Sequence, residues 1–304
     1  MKVAVIGGGA VGLLVAAYLY RANITSVVYT RREEQAFLLN ETGIEMMKNG
    51  ISEKYPVTAY PFSNGLMNDE DLIIITVKQY DLAPIIAAFI ENGVKTPLLF
   101  LQNGMGHISL LSKLYANSLF LGIVEHGVLK HSDVCITHTG EGQIKIAQYQ
   151  GSVGNFGTIA QALNSVGFVI RSEAEWYPML VKKLVANAVI NPLTALYKIR
   201  NGSLLNNDFY FKNMKAVFDE VIQVVTIADV ESLWEEVVSI CKKTGNNYSS
   251  MYKDLEMMRQ TEIQAILGYL LEEGKKSKKL MPLSTFLFYS IKGMENIREE
   301  ERNG

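Results

Sequence analysis

The chain has 304 residues, 48% of them hydrophobic and 20% charged, with a formal net charge of −2 at pH 7. That is room for two globular domains, and it excludes a general attraction to nucleic acid or to anionic membrane surfaces. Cys135 and Cys241 lack CxxC spacing and the four histidines (His107, His126, His131, His138) lack a zinc-ligand pattern. A reducing cytoplasm, no disulfide framework and no metal are therefore expected.

Lys2 to Ile6 alternates small and β-branched residues into a short strand. Gly7-Gly8-Gly9-Ala10-Val11-Gly12 follows at once, and Leu13 to Tyr20 is helix material. This is GxGxxG in the strand–turn–helix setting it needs. Gly7 serves the tight turn, Gly9 the approach of a pyrophosphate, and Gly12 the packing of helix on strand. The amides of Gly8, Ala10 and Val11 lie at the helix start, where phosphate oxygens bind. Three glycines and a single lysine argue against reading this run as a signal peptide, and no other segment reads as apolar enough to span a bilayer.

The second strand, Ser26 to Thr30, ends in Arg31-Arg32, with the acids Glu33 and Glu34 falling in the next helix. An acid at the strand end would select NAD. Guanidiniums instead suit a 2′-phosphate, so NADP(H) is expected, with Arg31, nearer the strand end, as its contact. Asp71 to Val77 is a buried parallel strand, followed by Lys78 and a helix through Ile90. Pro97 to Leu101 is another, followed by Asn103 in QNGMG and a further helix. Lys78 and Asn103 thus fall beyond the carboxyl ends of strands, where ligands of open α/β sheets gather. β-rich runs at 118–129, 134–139 and 142–148 complete the sheet or form a hairpin over it. A helix at 154–164 and a strand near 168–171 close the first domain, set at 1–172.

The second domain, 173–304, reads as all-helical, with runs at 207–228, 230–243, 251–273 and 283–298 and a charged tail expected to fray. It opens on a long apolar helix that carries Lys183, Asn187 and Asn191 four residues apart, on one face. A buried unpaired polar group costs about 1–3 kcal/mol, so this row faces a wet cleft or a polar ligand, or is bonded to neighbouring backbone. Pro192 is expected to kink or break the helix just after Asn191. Lys182, about 100° round the helix, is read as solvated or structural.

KLVANAVINPLTAL (183–196), RNG (200–202), NNYSSMYKDL (246–255) and RQTEI (259–263), with GGGAVG, Arg31, VK at 77–78 and QNGMG at 102–106, resemble ketopantoate reductases. The resemblance covers nearly the whole chain. One position departs: members often carry Trp two residues before the lysine, where this chain has Val181. The resemblance implies an α/β Rossmann-like dinucleotide-binding domain followed by an all-α domain. It implies Lys183 as the catalytic lysine that polarises a keto oxygen and supplies the proton, and Asn187, Asn191, Asn201, Asn247, Ser250 and Asn103 as substrate-side groups. On the cofactor side it implies Gly7 to Gly12, Arg31, Lys78 and Asn103, with Glu262 at the cofactor–substrate junction and the backbone of the 125–128 segment, ending at Val128, near the nicotinamide. The activity it implies is NADPH-dependent reduction of 2-dehydropantoate to (R)-pantoate. The alternatives are a reductase of another branched 2-oxo acid and a non-catalytic NADP(H) sensor. The expected partner is a small 2-oxo acid, with no nucleic acid or membrane and with a homodimer left open.

Overall fold

The computed structural model describes residues 1–67, 69–152 and 156–303, the side chains from 297 onward excepted. It divides into two units, Met1–Gln102 with Leu110–Met179 and Asn103–Ser109 with Leu180–Gly304. The divide falls seven residues later than the 172/173 boundary read from sequence, because the first helical turn of the long apolar segment packs with the sheet unit. Asn103–Ser109 also moves to the second unit, for a reason given below.

The first unit runs β1 (Lys2–Ile6), α1 (Ala10–Arg21), β2 (Thr25–Thr30), α2 (Glu33–Thr42), β3 (Ile44–Lys48), β4 (Ile51–Tyr55), β5 (Thr58–Pro61), β6 (Leu72–Ile75), α3 (Leu82–Glu91) and β7 (Leu98–Phe100). A single turn, α4 (Ile108–Leu111), stands where a full helix was expected after QNGMG. Then come β8 (Leu119–Val124), β9 (Gly127–Lys130), β10 (Cys135–Gly140), β11 (Ile144–Gln150), α5 (Phe156–Ser165) and β12 (Ile170–Glu173). The predicted start of α5 at 154–155 lies outside the described residues.

Eight strands form the main sheet in the order β12-β11-β8-β7-β6-β1-β2-β5, parallel except where β11 runs against β8. β6 and β7 are buried along their whole length, as aliphatic strands covered on both faces must be. From β1 the chain builds outward through β2 and β5, then returns to β6 on the other side. The carboxyl end of β1 is therefore the switch point at which such sheets bind ligands, and the glycine turn begins there.

The run read as one strand over 118–129 is two. β8 joins the main sheet, and β9 turns at His126-Gly127 into a second sheet of order β4-β3-β10-β9. The β3–β4 hairpin closes on Asn49-Gly50, both at positive φ (51° and 80°), the Asn-Gly pairing typical of a two-residue hairpin turn. α1 packs against strands of both sheets and is buried without interruption from Gly12 through Leu19, which explains a helix apolar on every side.

Between α1 and the second sheet runs a chain of hydrogen bonds. Lys48 Nζ donates to Tyr18 Oη (3.2 Å), Tyr18 Oη meets His138 Nδ1 (3.1 Å), and His138 Nε2 meets His126 Nδ1 (3.1 Å). The Gly142 amide also donates to His126 Nδ1 (3.2 Å), so that nitrogen is an acceptor and both rings carry their proton on Nε2. Tyr18 and His126 both stack on Phe168, and Lys48 is paired with Glu141 at 2.6 Å.

The second unit comprises α6 (Trp176–Tyr197), which carries on from the first, then α7 (Ser203–Asn206), α8 (Asp208–Val221), α9 (Val230–Lys243), α10 (Ser250–Glu256), a π-helical turn (Gln264–Gly268), α11 (Tyr269–Lys276) and α12 (Pro282–Asn303). Asn207, Asp229 and Ser249 cap α8, α9 and α10 with side-chain oxygens. Glu220, 6% exposed, accepts from the amides of Leu283 (3.0 Å) and Ser284 (2.6 Å) at the start of α12.

Three expectations are corrected here. Of the kink or break expected at Pro192, the break does not occur: α6 runs through to Tyr197, because its flanks, Asn191 through Ala195, are all buried and packing outweighs the lost hydrogen bond. α6 is also long and apolar enough to cross a membrane, against the reading that no such segment exists, but 78% of that window is buried inside the protein and it is a core helix. The helix expected over 251–273 is interrupted between Glu256 and Gln264, with Met258 at φ 53°.

Burial holds His126 down at about pKa 4 and His138 below its ordinary value. The unfolded chain gains protons as pH falls through about 6.5 while the folded rings stay neutral, so this source of stability is intact above 6.5 and is lost between about 6.5 and 4. Thermal melts should show Tm falling across that window, with a shallower fall in His126→Phe; equal slopes would show that the ring does not titrate on unfolding.

Candidate active site

The glycine turn is built from behind. Gly7 sits at φ 119°, and a Cβ on Gly12 would lie 1.9 Å from the Gly7 carbonyl, so α1 can approach β1 this closely only with glycine there. The Gly8 carbonyl accepts from Gln35 Nε2 (2.7 Å) and Lys130 Nζ (2.8 Å), while Gln35 also donates to the Asp133 carbonyl (2.9 Å). A Cβ on Gly9 would meet nothing within 4 Å, so that face is open. α1 has no side-chain cap and no acid in its first turn, and its first paired amide is that of Leu13, on Gly9 O at 3.0 Å. The amides of Ala10, Val11 and Gly12 are left to a ligand, and the helix end favours an anion.

Arg31 and Arg32 part company at the end of β2. Arg32 Nη2 is gripped by both oxygens of Asp133 at 2.5 Å. Burial pulls that carboxyl up, but Arg32 and Lys130 outweigh it and hold the group below its usual range. The Arg31 side chain is 79% exposed with a single 3.2 Å pair to Asp81, a contact worth little at that exposure. Arg31 is therefore the guanidinium free to take a new anion. Lys78 is half-buried just before the turn at Gln79–Asp81, and Val128 is half-buried in β9.

In the second unit α6 presents Lys183 and Asn187 half-buried and Asn191 8% exposed, while Lys182 points outward to Glu236 (3.3 Å). Asn201 follows α6 and is drawn to the turn before α10: its amide donates to Asn247 O (2.9 Å) and its Nδ2 to Thr244 Oγ1 (2.9 Å). Asn201 Oδ1 is buried with no hydrogen-bond partner among the described residues, an acceptor that calls for a donor from elsewhere. Asn247 and Ser250 are exposed. Their neighbour Ser249 is 4% exposed, caps α10 through the Tyr252 amide (3.2 Å), and shares a hydrogen bond with Thr194 Oγ1 on α6 (2.9 Å). Thr194 and Ser249 thus tie α6 to the start of α10, while Asn201 is tied to Asn247 and Thr244.

Asn103 is fixed in the same unit, its Nδ2 donating to Glu262 Oε2 at 2.9 Å. Gly104, at φ 78°, lies so close to the π turn that a Cβ would sit 2.2 Å from Ala265 O, and the Met105 amide donates to that same oxygen (3.3 Å). These contacts carry Asn103–Ser109 into the helical unit. Among the described residues no three His, Cys, Asp or Glu side chains converge as a metal cluster.

The described geometry of both units matches known proteins. Residues 3–151 fit the family model "Ketopantoate reductase PanE/ApbA", and residues 175–295 fit its C-terminal counterpart. The chain is 40% identical over 296 residues to the 2-dehydropantoate 2-reductase of Bacillus subtilis strain 168, covering 97% of this chain and 98% of that one. It belongs to the ketopantoate reductase family. A crystal structure of a probable 2-dehydropantoate 2-reductase from Bacillus subtilis superposes with TM-score 0.87 at 38% identity, over 97% of this chain and all of that one. The same fold is shared, at TM-score 0.89 and 21% identity over 98% of this chain and 100% of the other, with a D-mandelate dehydrogenase solved with NADH and anilino(oxo)acetate.

In this ketopantoate reductase family member the glycine turn, Arg31, the α6 row, Asn103 and Glu262 are the candidates that sequence motifs offer. Their supports were not legible. Gln35 and Lys130 lie 27 and 122 residues from the Gly8 carbonyl they hold. Thr194 and Ser249 stand 55 apart, although Ser249 carries a local signal as an N-cap before a helical run.

Proposed function

We propose that the protein is an NADPH-dependent 2-dehydropantoate 2-reductase that yields (R)-pantoate in pantothenate and coenzyme A synthesis. The observation that carries this reading is the row of Lys183, Asn187 and Asn191 on an unbroken α6, in a chain alike over nearly its whole length to enzymes of that name. NADPH supplies the hydride. The open face at Gly9, the unpaired amides of α1 and exposed Arg31 fit its pyrophosphate and 2′-phosphate. Lys78 and the Val128 backbone complete the cofactor set. Lys183 stabilises the charge that grows on the keto oxygen and delivers the proton to it. Asn187, Asn191, Asn201, Asn247 and Ser250 orient the substrate without adding titrating groups, and the unsatisfied Asn201 Oδ1 accepts from a substrate hydroxyl. Asn103 and Glu262 act as a bonded pair beside them.

The second reading, a reductase of another branched 2-oxo acid, has a specific support: the shared fold of a D-mandelate dehydrogenase. The cytoplasm is the compartment that suits free Cys135 and Cys241. A homodimer is supported by large apolar side chains exposed on the helical unit, Phe209 (74%), Phe286 (63%) and Tyr289 (68%) among them.

In a panel of 2-oxo acids followed by NADPH consumption, ketopantoate should give the highest kcat/KM; a better substrate lacking its hydroxyl would establish the second reading. Lys183→Ala should lower kcat by about 10²–10⁴-fold, and unchanged turnover would remove it from the chemistry. Arg31→Ala should raise KM for NADPH about tenfold or more while leaving KM for NADH nearly unchanged. Sedimentation velocity at micromolar concentration should show a dimer; a monomer there would retire the homodimer.

A further inference from the structure

We infer that Glu295 is a positioning residue that sets Glu262 through Thr261. The inference rests on the proposed role of Glu262. The helical path interrupted after α10 is closed by few groups. Arg259 N returns to Asp254 O (2.7 Å), and the next fixed point is Thr261, 1% exposed. Both donors of Thr261 converge on one oxygen: its amide reaches Glu295 Oε1 at 2.8 Å and its hydroxyl reaches the same oxygen at 2.6 Å. Glu295 comes from α12, 34 residues on, and is 9% exposed, with its other oxygen held by Lys292 Nζ at 2.8 Å.

A carboxylate this buried is stable only when its oxygens are satisfied. Here one oxygen is committed to a single residue of the break. Two bonds, one from backbone and one from side chain, fix Thr261 in position and in rotation where one would leave a pivot. The Thr261 hydroxyl in turn accepts from the Ile263 amide (3.2 Å), and Glu262 O accepts from the Ile266 amide (3.1 Å). Glu262 is thereby held on both sides, with its carboxylate on Asn103 Nδ2. The effect of Glu295 on the reaction passes through the backbone at 261–263.

The test is a kinetic double-mutant cycle in the full chain. Thr261→Val removes the hydroxyl at constant shape, and Glu295→Leu removes the shared acceptor. Thr261→Ser and Glu295→Gln keep the bonds and serve as rescues. Each loss variant should lower kcat/KM for ketopantoate about tenfold, each rescue should stay within about threefold of the wild type, and neither loss should add to that of Glu262→Gln. A drop of the same factor in the Glu262→Gln background, or rescues as poor as the losses, would overturn the inference. Whichever loss variant folds is also crystallised: displacement of Glu262 from Asn103 is expected, and a retained 2.9 Å contact would overturn the inference. This second readout needs no turnover, so a wild type inactive on every 2-oxo acid would sink the proposed function while the structure still decides the positioning.

Discussion

The hydrogen bond from Asn103 to Glu262 exists because a run of residues with helical periodicity does not stay helical. Between α10 and the π turn the chain leaves the helix for seven residues, bends at Met258, and is fastened at Thr261 by a carboxylate from α12. That detour turns Glu262 inward and opens the carbonyl of Ala265 to the amide of Met105. The stretch after β7 is drawn into the helical unit as a result, and glycine at 104 is what lets the two backbones come so close. A continuous helix over the same residues would satisfy its own carbonyls and leave Asn103 without this partner.

The nucleotide turn follows a different logic. The amides offered to a ligand are those any helix start leaves unpaired, so little is built at the mouth itself. The sequence-specific investment lies behind it, where Gln35 and Lys130 hold the Gly8 carbonyl and Asp133 occupies Arg32. One arginine is committed to the fold and the other, Arg31, stays exposed. In both places the backbone is held by side chains distant in sequence.

Local patterns made much of this legible in advance. β1, β2, β6 and β7 are short aliphatic runs bounded by turn residues, and GGGAVG sits where strand meets helix, so their placement needed no knowledge of distant contacts. The failures were cases in which tertiary packing overrode a local rule. Pro192 should kink or break a helix, yet residues buried on both sides of it carry α6 through to Tyr197. Residues 251–273 have helical spacing throughout, and the break at 257–263 is fastened by bonds from Thr261 to distant Glu295. The second sheet escaped notice because β3 and β4 have mixed polarity, although Asn49-Gly50 marks their hairpin. In the site, the α6 row and the motif residues were visible as side chains with no reason to be apolar neighbours. Thr194, Ser249 and Glu295 were not, since each is informative only once its partner is known.

Among the described helices α12 is the last to be translated, and it bears the acceptor that fastens residue 261. The glycine turn, α6 and residues 246–250 are therefore all made before the acceptor for Thr261 is. A chain truncated before α12 would carry every recognisable motif of a ketopantoate reductase and lack the acceptor that fastens Thr261.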